Sequence, residues 1–379
     1  MRTSSLTWTG ESGWTSVDLP RDSIDLVLYF GARDALSRSE PIVELSALCP
    51  TAIIVGCSTG GQIVGLEMRE GGIDAVAIAF DRTDVRLASA AIDASDQSHD
   101  VGKSLGHSLA SPHLNAVLVF SDGLKVNGSA LVDGILAGTG PGVAVAGGLA
   151  GDDARFETTL VGVGGRLGTA VVAAIGLYGD AIRLGFGSAG GWNVFGPRRK
   201  ITKSSGNVVY ELDGEPALDL YERYLGPEEV EGLPSSALLF PLQIRNPTGP
   251  GPGVVRTVLA VDRAERSMTF AGDMPEGWIS QLMRGTHEGL VEGAAVAAKQ
   301  ASTELGMPAE LSILVSCIGR KLLMGQRIGD ELEAASEELG GSPTIGFYSY
   351  GEISPLAPTG FSELHNQTMT VMTLSETAA

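Results

Sequence analysis

The sequence is short of cysteine, of basic charge and of long apolar runs. Its three cysteines, Cys49, Cys57 and Cys317, cannot build a disulfide framework, and no two of them stand in a C-x-x-C pair. A reducing compartment is expected. Lysine and arginine total 26 against 45 acids, for a net charge of −19 and a pI near 4.6. Such a surface repels phosphate backbones and anionic headgroups, which argues against a nucleic-acid or membrane partner. The apolar stretches have strand length, not membrane length, and the first residues, MRTSSLTWTG, carry no basic region followed by an apolar run. A cytoplasmic location is therefore expected. Glycine is what the chain has in excess: 52 residues, roughly twice the usual share.

Those glycines fall in a pattern. Gly56-Cys57-Ser58-Thr59-Gly60-Gly61-Gln62-Ile63 follows an apolar run and matches Gly346-Phe347-Tyr348-Ser349-Tyr350-Gly351-Glu352-Ile353. Ala146-Gly147-Gly148-Leu149-Ala150-Gly151-Asp152 is a looser third copy. The preceding element also repeats, as Leu118–Gly123 before one helix and Leu314–Gly319 before another. Strand, polar turn, helix, strand and glycine loop thus occur twice, and ligands in α/β sheets collect at the carboxyl ends of strands. The spacing Gly-x-x-x-x-Gly also opens a P-loop, which then needs Lys and Ser/Thr. Here Gln62, Asp152 and Glu352 stand instead, so a nucleotide triphosphate is disfavoured.

The expected fold class is α/β (mixed α+β): two pseudo-symmetric halves of β-α-β units, with mixed sheets and added hairpins, strands outnumbering helices. The halves are placed at 1–195 and 196–379, with 190–203 as the boundary stretch. Residues 65–80 read as a hairpin, 84–110 as helical, 246–253 as a surface loop, and 278–305 as the longest helix.

At these motifs the chain resembles the FIST domain family. The N-terminal pattern is carried by residues 56–63, Phe120-Ser121-Asp122-Gly123, and 147–153 with Phe156. The C-terminal pattern is carried by residues 212–217, 274–277, 316–320, 346–353 and 364–370. Gln62 departs from a family position that often holds glutamate. The resemblance implies a two-domain intracellular sensory module that binds an amino acid or small polar metabolite and acts on a separate signalling partner, without catalysis of its own. It also implies a haem-binding nitric-oxide sensor as the alternative.

Candidate ligand-binding residues gather at the strand ends. Cys57 and Cys317 are candidate nucleophiles if nearby amides lower a thiol pKa, the basis of a second alternative, a thiol enzyme; the competing reading of each is a small buried residue. Arg320 is placed to clamp a carboxylate, or to pair with Glu352. Asp122, Asp152, Asp153 and Glu352 suit an ammonium group or cap turns; their spacing names no metal. Ser58, Thr59, Gln62 and Gly151 complete the loops. Tyr348 and Tyr350 wall a pocket or fill core. His365 and Asn366 form a polar pocket floor or a satisfied interior pair. His287, on the expected apolar side of the long helix with Met283, is the better haem-ligand position. His99, His107 and His113 read as surface.

Overall fold

The computed structural model describes residues 1–249, 253–356 and 360–377. Its frame is one supersecondary unit used three times. Each unit centres on two parallel strands: Leu26–Ala32 with Ile53–Thr59, Leu114–Ser121 with Ala144–Leu149, and Leu311–Cys317 with Thr344–Ser349. An antiparallel strand flanks each pair on one side: Ile73–Ala79, Val171–Tyr178 and Met369–Glu376. The outer positions are taken by Arg2–Thr9, Asp84–Ala91 and Ile182–Ala189.

The chain leaving each second parallel strand makes a hairpin that pairs with a neighbouring unit's sheet. Strands Gln62–Val64 and Glu67–Arg69 extend the third sheet beside Thr344–Ser349. Val161–Val163 and Arg166–Gly168 extend the first sheet beside Ile53–Thr59. Gly351–Pro355 and Ser362–His365 extend the second beside Ala144–Leu149. The exchange is cyclic, and it shields the sheet edge that each second parallel strand would otherwise expose.

Close backbone approach explains the repeated glycines. A Cβ on Gly56 would lie 2.0 Å from the Tyr29 carbonyl oxygen, one on Gly147 2.0 Å from that of Val119, and one on Gly346 1.9 Å from that of Leu314. The repeat seen in two halves is therefore present three times. The third copy is centred on Gly147, one residue later than the motif match at Ala146.

The three sheets turn their inner faces to one core. Alternate residues from each unit fill it, including Leu28, Phe30 and Val55; Leu118, Phe120 and Ile175; and Ile313, Phe347 and Met372. Phe30, Phe120 and Phe347 meet at ring separations of 5.6, 4.6 and 6.1 Å. Helices cover the outer faces: Glu40–Leu48, the pair Ser98–Leu109 and Gly128–Thr139, and the pair His287–Leu305 and Ile328–Glu338. Between Ile182–Ala189 and His287–Leu305 the chain inserts an eight-stranded sheet, with helix Ala217–Tyr224 on its core.

The mixed α+β class stands, and several local expectations change. The region 84–110 opens as strand Asp84–Ala91, and its helix is confined to Ser98–Leu109. Its alanines look helical, but pairing with Val171–Tyr178 decides the matter. The region 278–305 is strand Ile279–Gly285 and then helix His287–Leu305, separated at Thr286, whose hydroxyl accepts from the Gly289 amide at 3.1 Å. The hairpin expected at 65–80 closes earlier, and Ile73–Ala79 is a central strand. The stretch 190–203 mostly enters strand Trp192–Ser205, so position 195 lies inside a strand. Part of the expected loop at 246–253, residues 250–252, lies outside the described residues.

Candidate functional site

The glycine loops meet at the carboxyl ends of the parallel strands. Each donates one backbone hydrogen bond to the next, closing a ring: Gly60 N to Tyr348 O at 2.7 Å, Gly151 N to Ser58 O at 2.9 Å, and Tyr350 N to Leu149 O at 3.2 Å. Glycine at 60 and 151 eases this approach: a Cβ on Gly151 would lie 3.1 Å from Gly60 N, and one on Gly60 3.3 Å from Tyr348 O and 2.5 Å from the end of the Ile318 side chain.

Beside this ring opens a cavity of about 210 Å³, to which all three units contribute. The first supplies Ala32, Arg33, Asp34, the loop 59–62, Glu70 and Gly71; the second Asp152, Asp153 and Arg155; the third Lys321. Its floor is neutral and polar. The Gln62 amide, oriented by its neighbours, donates to Arg69 O at 2.9 Å, accepts from the Ala32 amide at 3.0 Å, and lies 2.9 Å from the Thr59 hydroxyl. Its walls carry both signs of charge. Lys321, largely buried, donates to Gly60 O at 2.6 Å, to Asp153 at 3.1 Å and to Glu70. Arg155 grips Asp34 bidentately at 3.1 and 3.0 Å, and this hydrogen bonding holds the Asp34 carboxyl below its usual range. Asp152 sits at the wall but is fully engaged, accepting from the amides of Phe156, Glu157 and Thr158 and from the Tyr350 hydroxyl.

A second strand-end junction, around the loop 349–352, is closed to solvent. Glu352 is fully buried, accepts from Ser349 Oγ at 2.8 Å and from Thr368 N and Oγ1 at 3.1 and 3.0 Å, and is pushed by burial up to about 8. The inserted segment roofs this junction. Thr257 N donates to Asn366 Oδ1 at 3.3 Å, Gln367 Nε2 donates to Leu238 O at 2.8 Å, and Trp192 Nε1 donates to Gln367 O at 2.8 Å. The chain turns through the left-handed region at Gln367, φ 64°.

The candidate residues therefore separate. Thr59, Gln62, Asp152 and Asp153 line the open cavity. Ser58 and Gly151 hold its ring, Ser58 Oγ also accepting from Leu160 N at 2.8 Å. Glu352, His365 and Asn366 belong to the closed junction; His365 bonds Ser354 O through Nε2 at 3.0 Å, and burial lowers it to about 4. Asp122 caps its turn, accepting from Leu124 N, Lys125 N and Ala170 N. Cys57 faces the shared core and Cys317 is buried in the closed junction; burial pushes both thiols up, away from thiolate chemistry. Arg320 does not reach Glu352. It pairs with buried Glu331 at 2.8 Å and caps the Gly190 and Leu290 carbonyls, while Tyr348 donates to the other Glu331 oxygen at 2.8 Å. Tyr350 stacks on Phe156 at 4.4 Å. His287 begins its helix, and Met283 lies on the preceding strand; the imidazole bonds Leu323 O through Nε2 at 3.0 Å.

Arg33, Asp34, Glu70, Arg155 and Lys321 line the cavity without having been singled out. Arg33-Asp34 follows the first parallel strand as Asp122-Gly123 follows the corresponding strand of the second unit, so a strand-end search over all three copies reaches Arg33 and Asp34, whereas Glu70, Arg155 and Lys321 carry no such signal.

Comparison with known proteins places this architecture. An uncharacterized protein of Mycobacterium tuberculosis is 29% identical over 174 residues, 44% of this chain and 45% of the relative. One of Mycobacterium bovis is 28% identical over 174 residues, 44% of each chain. The chain thus aligns with less than half the length of these curated relatives. A chorismatase crystal structure covers 98% of both chains at 9% identity, with a TM-score of 0.36, too low to carry any argument. Among the described residues no helix is long and apolar enough to cross a membrane. The FIST N domain model matches residues 25–215 and the FIST C domain model residues 217–355, so the chain belongs to the FIST family, whose domains are generally described as small-ligand sensory modules of signalling proteins.

Proposed function

We propose that the cavity beside the ring of glycine loops binds one small zwitterionic metabolite, an amino acid or a close relative, without chemical conversion. The observation that carries this reading is the lining itself. A space of about 210 Å³ lies below the volume of typical drug-sized pockets and suits a compact polar molecule. Lys321, Arg33 and Arg155 offer a carboxylate its partners, and Asp34, Glu70 and Asp153 offer an ammonium group theirs. These charges now satisfy one another, so a zwitterion can replace their mutual pairs at small electrostatic cost. Because the three units meet here, a ligand that binds one arrangement of the loops better than another shifts all three sheets together, which is what a sensor acting on a separate signalling partner in the cytoplasm requires.

Thermal-shift screening against the amino acids and small polar metabolites tests the reading. A ligand present at about 100 times its dissociation constant adds about 2.7 kcal/mol to stability and raises the melting temperature measurably. No shift with any of them at millimolar concentration contradicts it.

A further inference from the structure

We infer that one face of the inserted sheet docks an extended acidic segment of a partner protein. The face is built by cross-strand register. Arg198 and Lys200 on Trp192–Ser205 lie opposite Gln281 and Ile279 on Ile279–Gly285, and those lie opposite Gln243 and Arg245 on Leu242–Arg245. Register partners share a sheet face, so Arg198, Lys200 and Arg245 stand on one side. The alternate residues Ile201, Leu242, Ile244 and Leu282 point to the other side, into the core under helix Ala217–Tyr224. Arg198 and Lys200 are exposed, Ile279 and Arg245 half-buried, and Val194 is 44% exposed at the same edge.

In a chain with 45 acids and 26 bases this face is an exception. No acidic residue occupies a register position in these two ladders; on the other side of Trp192–Ser205, Glu211 stands opposite Lys203 and the Asp213 amide donates to Lys200 O at 2.8 Å. Asp213, bonded to this strand, is held by the Arg199 guanidinium and the Lys200 amide. Among the described residues no acid pairs with Arg198, Lys200 or Arg245. Other basic side chains, Lys103 on helix Ser98–Leu109 and Arg166 on strand Arg166–Gly168 among them, also lack an acidic partner among the described residues, but they stand on separate elements, whereas here three share one face of one sheet.

Geometry names the partner's form. Arg198 and Lys200 are two residues apart on one strand, about 6.6 Å, and Arg245 is two strands from Lys200, about 10 Å. Carboxylates on alternate residues of an extended chain share the first spacing, and half-buried Ile279 offers an apolar contact between the charges. A nucleic acid fits less well, since the net charge of −19 repels it at long range and the aromatic ring in these ladders, Trp192, is buried and offers no face for base stacking. This surface rests on the reading that the output passes to a separate protein, but not on what fills the cavity.

The test is fluorescence anisotropy with a labelled peptide of roughly twelve residues alternating Glu and Thr, its Gln/Thr counterpart, and an oligothymidylate of similar length, at about 20 and 150 mM salt. The Glu/Thr peptide is expected to bind the full chain, to weaken with salt, and to lose about tenfold or more in affinity in the R198Q/K200Q/R245Q variant. The K103Q/R166Q variant, which removes exposed basic charge elsewhere, is expected to bind as the parent does. Equal binding by the triple variant and the parent, equal loss in both variants, no binding of the acidic peptide, or tighter binding of the oligothymidylate overturns the inference. A cavity without a ligand leaves these results unchanged and shows only in the thermal-shift screen.

Discussion

At the scale of single residues, buried charge separates framework from site. Arg320 and Glu331 are both wholly buried and bonded to each other. Removing one partner leaves the other uncompensated, so Arg320→Met is expected to lose about 3–5 kcal/mol in urea unfolding. Glu352 predicts a pH dependence. Its carboxyl titrates near 8 in the folded chain against 4.5 as the ordinary value. Between those values the folded state holds the extra proton, so Glu352 makes stability fall as pH rises through that window, by at most about 1.4 kcal/mol per pH unit. His365 acts in the opposite sense: its folded value near 4, against 6.5, makes stability rise with pH between the two. Glu352→Gln should therefore gain on the wild type steadily from pH 5 to pH 8. A constant stability difference over that range contradicts the assignment.

At the scale of elements, glycines pressed against a neighbouring carbonyl define the repeat. Gly346→Ala places a methyl 1.9 Å from Leu314 O and is expected to cost roughly 1–3 kcal/mol or more, read from the denaturation midpoint. Gly329→Ala, in the open first turn of helix Ile328–Glu338 where a Cβ meets nothing within 4 Å, should be neutral or stabilising by about 0.5–1 kcal/mol. Much of this level was legible. Apolar runs ending in glycine loops mark the second parallel strands, and all three loops are visible as motifs. What escaped was decided by contacts distant in sequence. Asp84–Ala91 is a strand because Val171–Tyr178 lies beside it, and the exchange of hairpins leaves no local trace. The site was legible to the same extent. Thr59, Gln62 and Asp153 sit on recognisable loops, whereas Lys321 and Glu70 enter the cavity only when three units close around it.

At the scale of the whole molecule, the hairpin exchange ties the units into one. Residues 1–195 alone lack the strand Gly351–Pro355 that covers Ala144–Leu149, and the strand Thr344–Ser349 that receives Gln62–Val64. That fragment is expected to show no cooperative melting by circular dichroism, whereas the full chain is expected to show a cooperative transition of its three-sheet body. The same interdependence makes the junction of the three loops the place where a small molecule touches every unit. Lys321, reaching from the third unit to Gly60 of the first and Asp153 of the second, is the side chain that joins them. The most direct measurement is a calorimetric titration of the strongest ligand from the thermal-shift screen into the wild type and into Lys321→Met. If the cavity is the binding site, the variant binds at least about tenfold more weakly while remaining folded. Equal affinity in the two proteins contradicts the account.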